Sequence, residues 1–145
     1  MSRIERHAVT MPRWALPKLG ADQRRDLAMV QLEKLADIHE GLASAETLWD
    51  MVRDAFTWAR VAELLHAGEA EMAAHLELVT RMVEHYGKTG RVEFTSTAQD
   101  QAARLACAWM EDLALIVDRG TALAAARWSE ERVDALFGDR TRRAA

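Results

Sequence analysis

His85-Tyr86-Gly87-Lys88-Thr89-Gly90-Arg91 decides how the chain is read. Gly87-Lys88-Thr89 is the end of a phosphate-binding loop, and a true loop of that kind would imply a parallel sheet with helices on its faces. Such a loop also needs a glycine five positions before the Gly-Lys pair, where this chain has Met82. It must follow a buried strand and lead into a helix. Here the preceding residues, Met72, Leu76, Val79, Val83 and Tyr86, recur at spacings of three and four, the period of a helix. The following residues, Arg91 to Thr95, alternate polar and apolar as one short extended piece with no partner strand in the sequence. The order is therefore reversed. Gly87 reads as a helix C-cap and Lys88 as a cation at the negative helix end.

Working outward, the fold class is all-α. Apolar residues make up 50% of the 145 positions and charged ones 29%, so the chain has enough of both to form a core and a wet surface. Both prolines, Pro12 and Pro17, lie before residue 21, and good helix formers dominate from there on. The periodicity predicts a bundle of four main helices at about 22–40, 45–66, 69–86 and 97–127. A short helix follows at 130–137. Residues 1–20 read as an extended arm, 21–138 as one helical domain and 139–145 as a basic tail. Gly41 is expected to end the first helix, Ser44 to open the second, Gly68 to end it, and Ser96 with Gln99 to form a capping box. The fourth helix keeps its apolar register through Leu113, Ile116 and Leu123, with a bend expected at Gly120. Ser129 is expected to cap the last helix, which Gly138 ends.

On the first helix, Ala28, Met29, Leu32, Leu35, Ala36 and His39 share a face, while Leu27, Val30 and Ile38 fall on the other side. A helix apolar on two faces has two neighbours. A homodimer is the expected source of the second.

Charge is uneven. Residues 1–25 carry net +4, residues 26–126 net −9 and residues 127–145 net +1. An acidic body repels nucleic-acid phosphates, leaving only the basic arm and the tail arginines Arg140, Arg142 and Arg143 as a route to them. No apolar run approaches the length of a membrane span, and the expected location is cytoplasmic.

Catalytic patterns are sparse, and the chain reads as a non-enzyme without a cofactor. Cys107, the one cysteine, has apolar and acidic helix neighbours, a setting that suits a buried structural thiol rather than a nucleophile. Glu63-Leu64-Leu65-His66 is an E-x-x-H, the half-motif of di-iron helical bundles, but it occurs once. A ferritin-like site would draw on Glu63, His66, His39 and His75. Five tryptophans are available. Trp49 and Trp58 lie nine residues apart on one helix and so face opposite ways. Trp14 and Trp128 each follow an arginine, and aromatic residues beside arginine make interface anchors. The expected partner-binding residues are Arg13, Trp14, Leu16, Trp58, Arg127 and Trp128.

The pattern Leu32, Leu35, Gly41, Trp49, Ala59, Gly68, then Thr89-Gly90-Arg91 with Phe94-Thr95 before a long helix, resembles small uncharacterised helical proteins of proteobacterial prophages, plasmids and integrative elements. The resemblance spans about residues 20–120. It implies a mobile-element setting and brings no catalytic residue; in that setting the acidic helical body is expected to inhibit or adapt a host protein. A DNA-binding regulator and a ferritin-like metal protein are the alternatives.

Overall fold

The computed structural model describes residues 18–144, with side chains described through residue 138. Five helices follow in order: α1 (Ala21–Glu40), α2 (Ala45–Leu65), α3 (Glu69–Thr89), α4 (Thr97–Ile116) and α5 (Arg119–Ala144). The class is all-α, with five helices where the sequence suggested four and a short fifth. No strand occurs among the described residues. The expected extended piece after α3 is a connector whose Val92 is buried.

α2 lies at the centre. It packs mainly on α5 and α3, while α1 lies on α4 as an outer pair. The opposed tryptophans of α2 explain this position. Trp49 belongs to one apolar cluster, with Val52, Phe56, Val79, Met82 and Val133. Trp58 belongs to a second, with Val61, Met72, Met110, Leu113 and Ala125. A helix buried on both sides needs neighbours on both, and α2 has them.

Local chemistry sets most of the ends. Ser44 and Thr47 cap α2 reciprocally: the Thr47 amide donates to Ser44 Oγ (3.3 Å) and the Ser44 amide to Thr47 Oγ1 (3.2 Å). Gly41 closes α1 with φ +76°, as expected. Three expected ends are corrected. α2 stops at His66, itself left-handed at φ 53°, and Gly68 opens α3 instead of ending α2. α3 runs on through Gly87 to Thr89 and is capped by Gly90 at φ 71°. The Ser96–Gln99 box forms by half: the Gln99 amide donates to Ser96 Oγ (3.2 Å), but the Gln99 side chain accepts from Thr95 N (2.8 Å), one residue early.

The largest correction is the expected helix 97–127. It breaks at Val117, whose backbone is extended (φ −72°, ψ 136°). Buried Asp118 then opens α5, accepting from the Thr121 amide (2.8 Å) and hydroxyl (2.6 Å). Ile116 before the break and Leu123 after it, both expected inward, are exposed, while Val117 and Ala125 are sealed. No helix begins at Ser129, and none ends at Gly138. α5 passes through both, and Ser129 sits buried in mid-helix.

Candidate functional site

Lys88 and Thr89 end α3. Thr89 Oγ1 donates to the His85 carbonyl (2.8 Å) and accepts from the Arg91 amide (3.1 Å). A helix C-terminus presents carbonyls and negative charge, which repels phosphate. The Gly-Lys-Thr stretch is thus used up in ending a helix.

The E-x-x-H residues are not brought together. Glu63 pairs with Arg60 (3.0 Å) on the surface, and His66 is 87% exposed, 3.5 Å from Glu69. His39 is exposed at the end of α1, whereas His75 is buried between helices. Among the described residues, no group of three or more His, Cys, Asp or Glu side chains is placed to hold a metal ion.

Half-buried polar side chains meet between α1 and α2, and a buried histidine lies on α3. Asp54 on α2 accepts from Lys34 Nζ and from Gln31 Nε2 (2.7 Å), both on α1. His75 on α3 has a buried Nδ1 with no hydrogen-bond partner. Burial holds its imidazole down at about 4, against a weaker upward pull from Asp54. Burial, then the Glu111 carboxylate, pushes the Cys107 thiol up to about 11. At neutral pH the thiol is protonated and the imidazole uncharged. A poor nucleophile and a weak base are the chemical result.

The tryptophan expectations divide. Trp58 is buried in the second cluster and contributes to packing rather than to a surface patch. Trp128 is half-buried, its ring 6.2 Å from that of Phe56 and 5.3 Å from the Arg60 guanidinium carbon, so it joins α5 to α2. Arg127, beside it, is on the exposed side of the turn. Arg13, Trp14 and Leu16 lie outside the described residues.

Two surface features stand out. One is a cleft of about 570 Å³ between the end of α1 and the segment leading into α4. Ile38, Val92 and Phe94 give it apolar wall, and His39, Arg91 and Asp100 give it charges of both signs. Glu93, also on its wall, is engaged with His85 (2.9 Å). The other is the outer face of α1. Its buried side is Leu35 and Ile38, with Gln31 and Lys34 turned toward Asp54. That rotation leaves Met29 and Leu32 half-exposed, at 52% and 51%, though they were expected to share a face with Leu35. Ala36 lies one helical turn beyond Leu32, and exposed Asp22, Asp26, Glu33 and Glu40 flank this apolar stripe. Sequence periodicity found the apolar residues of α1, but it could not say which of them Asp54 would turn outward.

No helix among the described residues is long and apolar enough to cross a membrane. Neither a protein-family model, nor a curated protein, nor a solved structure matches this chain.

Proposed function

We propose that the chain is a non-enzymatic protein-binding module and that the outer face of α1 is its docking surface. The observation that carries this is the stripe of Met29 and Leu32, solvent-facing on a helix whose other side is packed, with Asp26, Glu33 and Glu40 alongside. Apolar side chains give such a face its affinity, and the acids give it a charge preference. Its partner is a protein segment that is basic and carries large apolar side chains. In the mobile-element setting the sequence resembles, an acidic accessory protein of this kind would hold a basic segment of a host protein. The protonated thiol and the neutral, enclosed imidazole support the non-enzymatic part of the reading.

The test is a titration of the full chain with a synthetic amphipathic peptide of leucine and lysine, beside an equally charged peptide of serine and lysine. The leucine peptide should bind at least about ten-fold more tightly, a difference near 1.4 kcal/mol. Met29→Asp with Leu32→Asp should abolish that preference. Equal binding of the two peptides, or an unaffected double variant, would sink the proposal.

A further inference from the structure

The cleft between the end of α1 and the segment leading into α4 has anchored walls. Ile38, in the last turn of α1, is buried in the first apolar cluster, and Ala43 packs against that cluster. Residues 91–95 supply much of the rest. Val92 is buried in the same cluster. Phe94 packs both on it and on the group of Leu35, Ala103 and Cys107. The Thr95 amide donates to the Gln99 side chain (2.8 Å), which ties the segment to α4. A cavity held in this way is formed before any ligand arrives, as small-molecule sites usually are.

Its polar groups are not balanced. Both acids on the walls are engaged by residues that do not line the cleft: Glu93 by His85 (2.9 Å) and Asp100 by Arg104 (3.1 Å). The Arg91 guanidinium and the His39 imidazole make no hydrogen bond or ion pair with any described residue. Ser96 Oγ accepts from the Gln99 amide (3.2 Å), which leaves its hydroxyl proton to give. Donors are therefore in surplus, and the fixed charge among them is positive.

We propose that this cleft binds a small organic acid, a single carboxylate on an apolar body. Arg91 takes the carboxylate in its planar fork, with His39 and the Ser96 hydroxyl as further donors. Ile38, Val92 and Phe94 receive the body. The volume of about 570 Å³ lies within the range of small-molecule sites. The acids set the charge of the ligand. One guanidinium matches one carboxylate, while Glu93 and Asp100 on the same walls disfavour a doubly charged head such as a phosphate. Met29, Leu32, Asp26, Glu33 and Glu40 do not line the cleft, so this site is separate from the docking face of α1.

The experiment follows the amide shifts of the isotopically labelled full chain during titration with octanoate. Octanol supplies the body without the charge, and acetate the charge without the body. Octanoate should shift the amides of Arg91, Val92, Phe94 and Thr97 to saturation. It should bind at least about ten-fold more tightly than either control, as a charge-assisted bond added to apolar burial requires. Arg91→Gln changes an exposed side chain and should weaken octanoate at least about ten-fold while leaving octanol unaffected. Arg132→Gln, on the exposed side of α5, should alter neither. Octanoate no tighter than octanol, or an Arg91→Gln chain that binds it as wild type does, would overturn the proposal. So would shifts centred on Met29 and Leu32, which would move the ligand to the α1 face. Tighter binding of octyl phosphate, with its charge of about −1.5 to −2, would overturn the choice of a carboxylate.

Discussion

Ser129 on α5 donates its hydroxyl proton to the carbonyl oxygen of Arg53 on α2, at 2.7 Å. The Arg53 carbonyl also accepts from the Thr57 hydroxyl (2.9 Å) on its own helix. The side chain is small and buried, so the helices approach closely there, with Ala125 and Val133 one turn to either side, fully enclosed. Trp128 with Phe56 and Phe137 with Trp49 extend the contact to both ends. Ser129→Ala removes the hydrogen bond while Thr57 still serves the carbonyl, and should cost about 0.5–1.5 kcal/mol. Ser129→Leu must force the crossing apart and should cost about 1–3 kcal/mol or more. Urea unfolding of both variants orders them. A Leu variant as stable as wild type would mean that α5 does not lie this close to α2.

Gly68 and His66 make a second pair of tests at the α2–α3 turn. A Cβ added at Gly68 would stand 2.9 Å from a ring carbon of Trp109, and the residue is left-handed at φ +67°. Gly68→Ala therefore combines a clash with backbone strain and should destabilise by about 1–3 kcal/mol. His66 is left-handed without being glycine and is mostly solvated. His66→Gly should stabilise, by up to about 1 kcal/mol, which raises the melting temperature by roughly 2–4 °C. Calorimetry of the two variants should move in opposite directions.

His75 predicts a pH dependence whose sign is fixed by its burial. Its folded-state value of about 4 lies below the ordinary 6.5, so the unfolded chain binds the proton more readily. Stability from this group is therefore complete above pH 6.5 and is lost as pH falls toward 4. The loss amounts to roughly 3 kcal/mol across that window. In His75→Leu the slope between pH 6.5 and 4 should flatten. Identical slopes in the two proteins would show that His75 is not enclosed.

Cys107 should be chemically quiet while the bundle is folded. With the thiol raised to about 11, the thiolate fraction at pH 7 is about one in ten thousand. Alkylation by iodoacetamide should be slow in buffer and should accelerate by at least about a hundred-fold in denaturant, where the thiol returns to near 8.5. Fast labelling of the native chain would contradict the packing of Cys107 between Leu35 and Ala103.

The legibility of the sequence varied with the range of the interactions involved. Ser44 with Thr47, and Gly41 after α1, were readable because a cap is decided within about four residues. The all-α class was readable from helical spacing and from the reversed surroundings of Gly87-Lys88-Thr89. The break at Val117 left a local trace, Asp118 followed by Thr121 at N-cap spacing after two β-branched residues, but the apparently continuous register of Leu113, Ile116 and Leu123 masked it. The role of Ser129 left none. A serine that reads locally as a cap is a buried donor because Arg53, far away in sequence, arrives opposite it.

Residue types and their spacing determined that this chain is helical, where most helices begin and end, and that its body is acidic. Only the tertiary structure decided which way each helix is turned. Gln31 and Lys34 face inward because Asp54 on α2 accepts their protons, and Met29 and Leu32 are therefore left to solvent. Helix formation is settled by neighbours along the chain, whereas the rotation of a helix about its axis is settled by the surface it meets. The candidate docking face is a consequence of that rotation.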